Sequence, residues 1–593
     1  MGRSATIIVV MLFGVFLSEN AAKARAQEAG NIENRIPLLQ TQQSRSGADE
    51  DAQSEPVQLF GNGGLINVSI PPSEIDKRLP QEVAPKKDAD DDLRLPPPPA
   101  LRERPTSRFV LTAVEIRGVT AFPPESFAPL YDDMLARTVS VTDVARITDA
   151  ITAAYRADGY FLSRATAPAQ SADNGVLYID VFEGYIANVL VKGGNSDLRR
   201  RLGKLTEERP LKLSTLERTL ALASDLRGVK VESTEIIPDP SDLARHQLTV
   251  AINTDPLEAS LYIDNRGTDS AGPLQLYAKA AANSLLKTGD QVSIGVFTTP
   301  TDPNELSLGE LSYHLPLLRS GSYATFSGMV SKYEAGASLA SLDTETRTKR
   351  LSFSLSHPLI RQRNLSLWAN IGIEGRDIEE EQLGLSNFND KLRVISAWTN
   401  FRSEHWNGYT TVFGKISHGL DMLGAASGDT PLSRPDANGE FTKFEAQISR
   451  YQNIGKVFGV YVSLDSQYSL DPLLASEEFS LGGARFGRAY DYGELTGDDG
   501  VAALVELRYG RNPNLGFLNF YQIYGFYDYG VVWNDNAAPG FEELSLASVG
   551  GGLRLTFPHS IAASVEIAKP LESTPYTSAD DAWRGFFSIA KSF

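Results

Sequence analysis

Two side chains late in the sequence combine into something that can do physical work. Leu481–Gly500 reads LGGARFGRAYDYGELTGDDG, with six glycines and neither helical nor strand periodicity, yet it carries Arg488, Tyr490 and several aspartates. Connecting stretches of this kind ordinarily lie over a surface and stay polar. This one stands between two alternating strand patterns, and further on Tyr524–Val532 (YGFYDYGVV) sets a single carboxylate, Asp528, among aromatics. A guanidinium presents a planar fork that a carboxylate can accept in two parallel bonds. One reading therefore has Arg488 fold inward to meet Asp528 inside a membrane β-barrel. The competing reading leaves Arg488 facing water in a surface loop, where an ion pair contributes little.

The other chemistry-bearing residues point away from catalysis. There is no cysteine, which rules out disulfide scaffolds and thiolate metal sites and suits a bacterial envelope protein. The six histidines stand at 246, 314, 357, 405, 418 and 559. His314 and His357 lie beside Pro-containing turns, and none sits in a motif with the nucleophile and acid that hydrolysis needs. No catalytic set, metal site or cofactor is expected. A net charge of −18 without any Lys/Arg cluster argues against nucleic acid as a partner.

An inward loop requires a wall, and the second half of the chain supplies one. From about Leu257 onward the pattern is strand after strand. Leu365, Leu367, Ala369, Ile371 and Ile373 alternate with Ser366, Trp368, Asn370 and Gly372. Leu351, Phe353 and Leu355 alternate with serines, and Ile561, Ala563, Val565 and Ile567 alternate with Ala562, Ser564 and Glu566. Such dyads fit a transmembrane β-barrel with a lipid-facing side and a polar lumen. Tight turns are expected at residues 314–317, 357–359 and 569–571, with longer polar loops on the other rim. The last strand, Gly585–Phe593, ends on an aromatic. A soluble β-sandwich or propeller is the alternative; it has no need of an export signal and leaves this terminus unexplained.

That signal occupies residues 1–26: Arg3, the apolar run Ile7–Leu17, and Ala24-Arg25-Ala26 as an A-x-A cleavage site. The run is too short to span a bilayer as a helix. Residues 27–107 are acidic and Pro-rich, with Asp88–Asp92 and Pro96–Pro99, and on composition read as a solvated tail.

Two similar modules then precede the barrel. In residues 108–184, Val110–Arg117 alternates as a strand. Ser140 with Asp143 forms a weak capping box, and Val144, Ile147, Ile151 and Tyr155 give a helical stripe that Gly159 ends. Strands at Phe161–Thr166 and Val176–Phe182 complete a β-α-α-β-β unit. The order repeats in residues 185–254, with Ser214 and Glu217 as a full capping box and Leu216, Leu220 and Ala223 lining the helix. Binding or positioning, not catalysis, is the expected role of both.

The ensemble resembles a two-partner secretion transporter of the haemolysin/haemagglutinin secretion-activation family. The resemblance rests on Tyr155–Tyr160 (YRADGY), Ser163–Gln170 (SRATAPAQ) and Gly175–Gly184 (GVLYIDVFEG) in the first module. Asp264-Asn265-Arg266-Gly267 with Gly289-Asp290, Met422–Ala425 (MLGA) and the loop at Leu481 extend it along the chain. It implies a mixed fold: two periplasmic POTRA (polypeptide-transport-associated) modules followed by a 16-stranded antiparallel transmembrane barrel over residues 255–593. It also implies an N-terminal plug helix, at residues 27–46, and a linker at 47–107. Pro37 weighs against that helix.

The loop resembles the family's lumen loop, whose usual core is Val-Arg-Gly-Tyr; here the aligned residues are Gly487, Arg488, Ala489 and Tyr490, so two positions depart. The family's strand motif, Asp two residues before Gly, is met by Asp528 and Gly530. The resemblance implies a salt bridge between Arg488 and Asp528, with Gly482, Gly483 and Gly530 supporting loop and strand and Phe593 as the barrel-assembly terminus.

The function so implied is an outer-membrane pore, not an enzyme. It recognises a large exoprotein of haemolysin or adhesin type through that protein's N-terminal secretion domain, using the POTRA modules. It passes the exoprotein unfolded to the cell surface without ATP. Outer-membrane lipid and the barrel-assembly machinery are the other expected partners. The alternative within the superfamily is a factor that inserts other barrels. An outer-membrane lipase or protease and a plain porin are the rivals from other classes.

Overall fold

Alternation of apolar and polar residues builds most of this molecule. The computed structural model describes residues 108–593 apart from 172–173, 426–430, 537–540, 573–574 and 576–579, together with the backbone of Leu93–Arg94. The expected signal peptide, the plug helix and most of the linker lie outside the described residues. One compact unit contains the first module, to Val181; the other runs from Phe182 to Phe593.

In the first module a three-stranded sheet places Val176–Phe182 between Ala113–Arg117, which runs parallel to it, and Arg164–Thr166. Helix α1, Val141–Ala157, lies on this sheet and buries Val144, Ile147, Ile151 and Tyr155, the stripe read from the sequence. Its capping box is fully formed: the Ser140 hydroxyl accepts from the Asp143 amide while the Asp143 carboxylate accepts from the Ser140 amide. The other expected helix is instead two 3-10 turns, Pro124–Leu130 and Asp132–Met134. Pro129, inside the run, lacks the backbone donor that a continuous α-helix would need there.

The second module has both helices, α2 (Ser196–Gly203) and α3 (Leu213–Ser224). The expected capping box at Ser214 does not form. The helix begins at Leu213 with Lys212 as N-cap and no side-chain cap, and the Lys212 amide donates to Glu208. Asn195 caps α2 instead, accepting from the amides of Asp197 and Leu198. The sheet runs, in order, Leu93–Arg94, Val229–Asp239, Asp242–Thr254, Tyr185–Lys192, and the linker strand adds in parallel at its edge.

Sixteen strands then close a barrel, each antiparallel to the next. They are β1 (Leu257–Asp264), β2 (Gln275–Asn283), β3 (Gln291–Thr298), β4 (Leu306–Pro316), β5 (Tyr323–Glu334), β6 (Thr344–Arg361), β7 (Leu365–Gln382) and β8 (Leu385–His405). The circuit continues with β9 (Gly408–Gly419), β10 (Thr442–Ile454), β11 (Phe458–Ser469), β12 (Asp499–Arg511), β13 (Phe520–Trp533), β14 (Glu543–Phe557), β15 (Ile561–Pro570) and β16 (Arg584–Ser592). The outer face exposes large apolar side chains at every second position, among them Leu351, Leu355, Ile371, Ile373, Val565, Ile567, Phe587 and Ile589. In water such a belt is a liability, and in a bilayer it is the required surface. No helix among the described residues is long and apolar enough to cross a membrane.

The rim beside the second module carries the shorter turns, such as residues 362–364, 406–407 and 558–560; the far rim carries residues 420–441 and 470–498. Residues 569–571, expected at a tight turn, end β15 on the far rim and lead into a longer loop. The second module is bolted to the near rim. Arg361 of β6 makes a two-pronged ion pair with Asp225 at the end of α3, with nitrogen–oxygen distances of 2.9 and 2.8 Å. Arg218 donates to the Pro358 carbonyl at 3.3 Å.

Candidate functional site

The lumen face of the barrel has two characters. Across β3 to β6 it is lined by small hydroxyls: Ser293 and Ser312 share a hydrogen bond of 2.7 Å, and Ser327 and Ser352 one of 2.6 Å. Across β11 to β16 the lumen face turns apolar at Tyr461, Ala502, Leu504, Phe526, Val532, Leu546 and Phe586, and there residues 470–498 fold inward and pack. Leu481, Phe486, Ala489, Tyr490 and Leu495 of the loop join that cluster. Each large apolar side chain so removed from water contributes roughly 1.5–3 kcal/mol to docking.

Local geometry shapes the loop into a stalk and a tip. The stalk is a short hairpin pairing Phe479–Leu481 with Leu495–Gly497. At the tip, the Gly482 amide donates to the Phe486 carbonyl and the Gly483 amide to the carbonyls of Gly487 and Tyr490. Gly482 and Gly483 have φ of +108° and +97°, and a Cβ on Gly482 would stand 1.8 Å from the Asp491 carbonyl oxygen. Only glycine fits this crossing. Gly530 does a related job on β13, since a Cβ there would approach Leu481 to 2.4 Å.

Arg488 is 3 % exposed and lies 4.3 Å above the Phe526 ring. Its guanidinium donates to Glu566 at 3.1 Å and pairs with Glu506, also at 3.1 Å. Glu566 additionally accepts from the Tyr524 hydroxyl at 2.6 Å and pairs with Arg266. Glu506 meets Arg554 and Arg508, each at 2.6 Å. The result is a buried network of two carboxylates and four guanidiniums that joins the loop tip to β12, β14, β15 and the turn after β1. In a space that excludes water, removing one member strands the others, which is how such a network holds a loop in one position.

The expected ion pair between Arg488 and Asp528 is corrected by this geometry: the carboxylates that Arg488 meets are Glu506 and Glu566. Asp528 is nevertheless fully buried beside the tip. Its Oδ1 accepts from the Gly487 amide at 2.8 Å and from the Ser548 hydroxyl at 2.5 Å. The reason is one of reach along a strand. Asp528 and Phe526 project from the same face of β13, and Asp528 grips the backbone at Gly487. The Arg488 side chain then extends over Phe526, away from Asp528 and toward the neighbouring strands.

Tyr490 is buried and donates to the Ala547 carbonyl at 3.2 Å. Ala489, where the usual motif has Gly, is fully buried, and its carbonyl accepts from Arg584 at 3.0 Å. Phe593 lies one residue past β16, mostly exposed, with its amide on the Ala259 carbonyl. A further arginine, Arg434 in residues 420–441, ties that loop to the stalk through Asp498 at 2.6 Å and Glu478 at 3.0 Å.

Glu506, Glu566, Arg554 and Arg584 were not singled out from the sequence. A signal was present: in Val501–Arg508 and Ile561–Ala568 the dyad pattern puts one lone glutamate on the inward face among Ala, Leu and Ser. A charge facing inward on an otherwise apolar wall needs a partner from elsewhere.

Comparison with known proteins bears on this arrangement. Residues 247–555, more than half of the chain, match the family model described as haemolysin secretion/activation protein ShlB/FhaC/HecB, and residues 109–184 match the POTRA domain of ShlB type. The heme/hemopexin transporter protein HuxB of Haemophilus influenzae strain 86-028NP is 23% identical over 493 residues, which cover 79% of this chain and 84% of that protein. The outer membrane transporter CdiB of Escherichia coli is 25% identical over 480 residues, covering 78% of this chain and 79% of that protein. Among solved structures, CdiB from Escherichia coli superposes with a TM-score of 0.67 at 22% identity, covering 84% of this chain and 93% of that one. CdiB from Acinetobacter baumannii gives 0.59 at 15% identity, covering 96% and 98%.

Proposed function

The chain belongs to the haemolysin secretion/activation family, and on that footing we propose that it carries one large exoprotein from the periplasm to the cell surface, unfolded and without ATP. It is an outer-membrane transporter of two-partner secretion, with its barrel in the membrane and its POTRA modules in the periplasm. The observation that carries the finer reading is the docked loop. Its tip, Gly487-Arg488-Ala489-Tyr490, is locked by a buried charge network into one side of a lumen whose other side is lined with neutral hydroxyls. An extended polypeptide passing along that side meets hydroxyl donors and acceptors.

Capture falls to the modules. In the first, Ala113–Arg117 is an outer strand of its sheet, and in the second Tyr185–Lys192 is. Either offers an edge on which the cargo's N-terminal secretion domain can add a strand, main chain to main chain. Once outside, folding of the cargo into a β-solenoid supplies direction, because a folded solenoid cannot slip back. The apolar outer belt takes outer-membrane lipid, and the barrel-assembly machinery recognises the last strand together with Phe593 just beyond it.

Deleting the gene tests this. A large exoprotein should then remain in the periplasm or be degraded there, while normal surface display without the transporter would sink the reading.

A further inference from the structure

The tetrad Asp264-Asn265-Arg266-Gly267, of which only Arg266 has entered the charge network so far, sits where the barrel closes. The seam between β1 and β16 pairs five residues, from Ser260 with Ser592 to Asp264 with Ser588. Asn265 extends it past the end of β1. Its side-chain amide donates to the Gly585 carbonyl at 3.1 Å and accepts from the Phe587 amide at 2.6 Å, beside a backbone bond from the Asn265 amide to the Phe587 carbonyl at 3.4 Å.

The next residue turns inward. Arg266 is buried, lies 3.9 Å above the Phe586 ring, pairs with Glu566, and donates to the carbonyl of Arg488 at 3.4 Å. From the other side of the same seam Arg584, the first residue of β16, lies over the same ring at 5.5 Å. It donates to the carbonyl of Ala489 at 3.0 Å and to Asp491 at 2.5 Å. Two consecutive loop carbonyls are therefore held by two arginines, one from the turn after β1 and one from β16, each over the Phe586 ring.

We propose that Arg266 and Arg584 are positioning residues that make docking of the lumen loop depend on closure of the β1–β16 seam. A barrel in which β1 and β16 stand apart presents the tip with one arginine or the other, and both carbonyls are satisfied only when the strands meet. Charge-assisted bonds to two neighbouring carbonyls are directional, so the closed seam selects one loop position. Coupling of this kind is reciprocal: an undocked loop also leaves Arg266 and Arg584 without their loop acceptors and weakens the seam.

The test uses the full-length protein in lipid bilayers. Loop position is read by trypsin cleavage after Arg485, a site that every variant keeps, and by single-channel conductance, and seam closure by disulfide formation in the pair I263C/I589C, which are register partners in a chain that has no cysteine of its own. In R266A and in R584A, trypsin should cut the loop and conductance should rise and fluctuate, to the extent seen in R488A. Combining R266A with R488A should add nothing. R266K keeps a charge for Glu566 but cannot also reach the carbonyl, so it should fall between wild type and R266A. In R266A the seam disulfide, once formed, should not restore trypsin resistance.

Wild-type trypsin resistance and conductance in both R266A and R584A would overturn the proposal, and so would full restoration by R266K. If R266A fails to reach the membrane, R584A and R266K carry the same test. Only a secretion assay of these variants rests on the transport reading. Were that reading wrong, the wild type itself would secrete nothing, while the cleavage and conductance results would stand.

Discussion

Arg488 and Glu566 meet at 3.1 Å inside the barrel although 78 residues separate them in the chain. The contact spans the lumen face from loop tip to β15, and with Glu506 it sets the position of the tip. Replacing Glu506 by Ala should be the most damaging single change in the network, because it leaves Arg488, Arg554 and Arg508 facing one another without their shared carboxylate. The expected cost is roughly 3–5 kcal/mol of barrel stability. It should appear as a lower temperature for loss of the heat-resistant barrel on gels, together with lost secretion.

Asp528 acts as an acceptor for the loop backbone and for Ser548, not as the counter-ion of Arg488. Asp528→Asn keeps an acceptor on the Gly487 amide and should retain more secretion than Asp528→Ala. Ser548→Ala, which removes one hydrogen bond, should cost about 1 kcal/mol. Equal defects in the Asn and Ala variants would contradict this assignment.

At Gly482 a methyl group would meet the Asp491 carbonyl, and the backbone φ is +108°. Gly482→Ala should therefore undock the tip and abolish trypsin resistance at Arg485. Gly516→Ala serves as the control, since nothing lies within 4 Å of its Cβ position. Proteolysis of both variants in intact cells makes the comparison.

The bolt between module and rim predicts a different phenotype. Arg361 and Asp225 have side chains only 6% and 11% exposed, so neither is screened well by water. Arg361→Ala should leave the barrel and its loop intact while releasing α3. Faster hydrogen exchange at Leu213–Ser224, with unchanged exchange across β12 to β15, is the expected pattern.

The first module carries a pH signature. Asp143 accepts from the Ser140 amide and hydroxyl at 2.9 and 2.8 Å, which holds its carboxyl below the ordinary range. A carboxyl whose pKa is lowered on folding stabilises the folded state above its unfolded value, and that contribution is lost as pH falls through the folded one. Helix α1 should thus open more readily as pH drops below about 4, and Asp143→Asn should remove this dependence. Ser140→Ala should cost about 1 kcal/mol at neutral pH. Hydrogen exchange of α1, corrected for intrinsic rates, reads both.

Much of this was legible along the chain. The stripe Val144, Ile147, Ile151 and Tyr155 named the buried face of α1, and the alternation at Leu365–Ile373 named the lipid side of β7, because side-chain direction follows local backbone geometry. The loop around Arg488 announced itself by glycines at positions that only glycine can occupy. Ser214 misled because a capping box competes with other ways of starting a helix, and here Lys212 is the N-cap, two residues earlier, with its amide on Glu208.

The partner of Arg488 lay beyond any local pattern. The strand motif around Asp528 points to that carboxylate, while Glu506, although nearer to Arg488 along the chain, and Glu566 read only as two glutamates on separate strands. Barrel closure brings β12 and β15 to the same tip from either side of β13 and β14, and strand register puts their inward carboxylates level with the guanidinium. Nor could the chain alone show that Arg266 and Arg584, at opposite ends of the barrel sequence, would stand side by side, since that depends on the first strand meeting the last. Spacing and residue type determined the wall, the loop and the need for a buried counter-charge. Register and closure, which are properties of the whole sheet, decided which carboxylates would meet it.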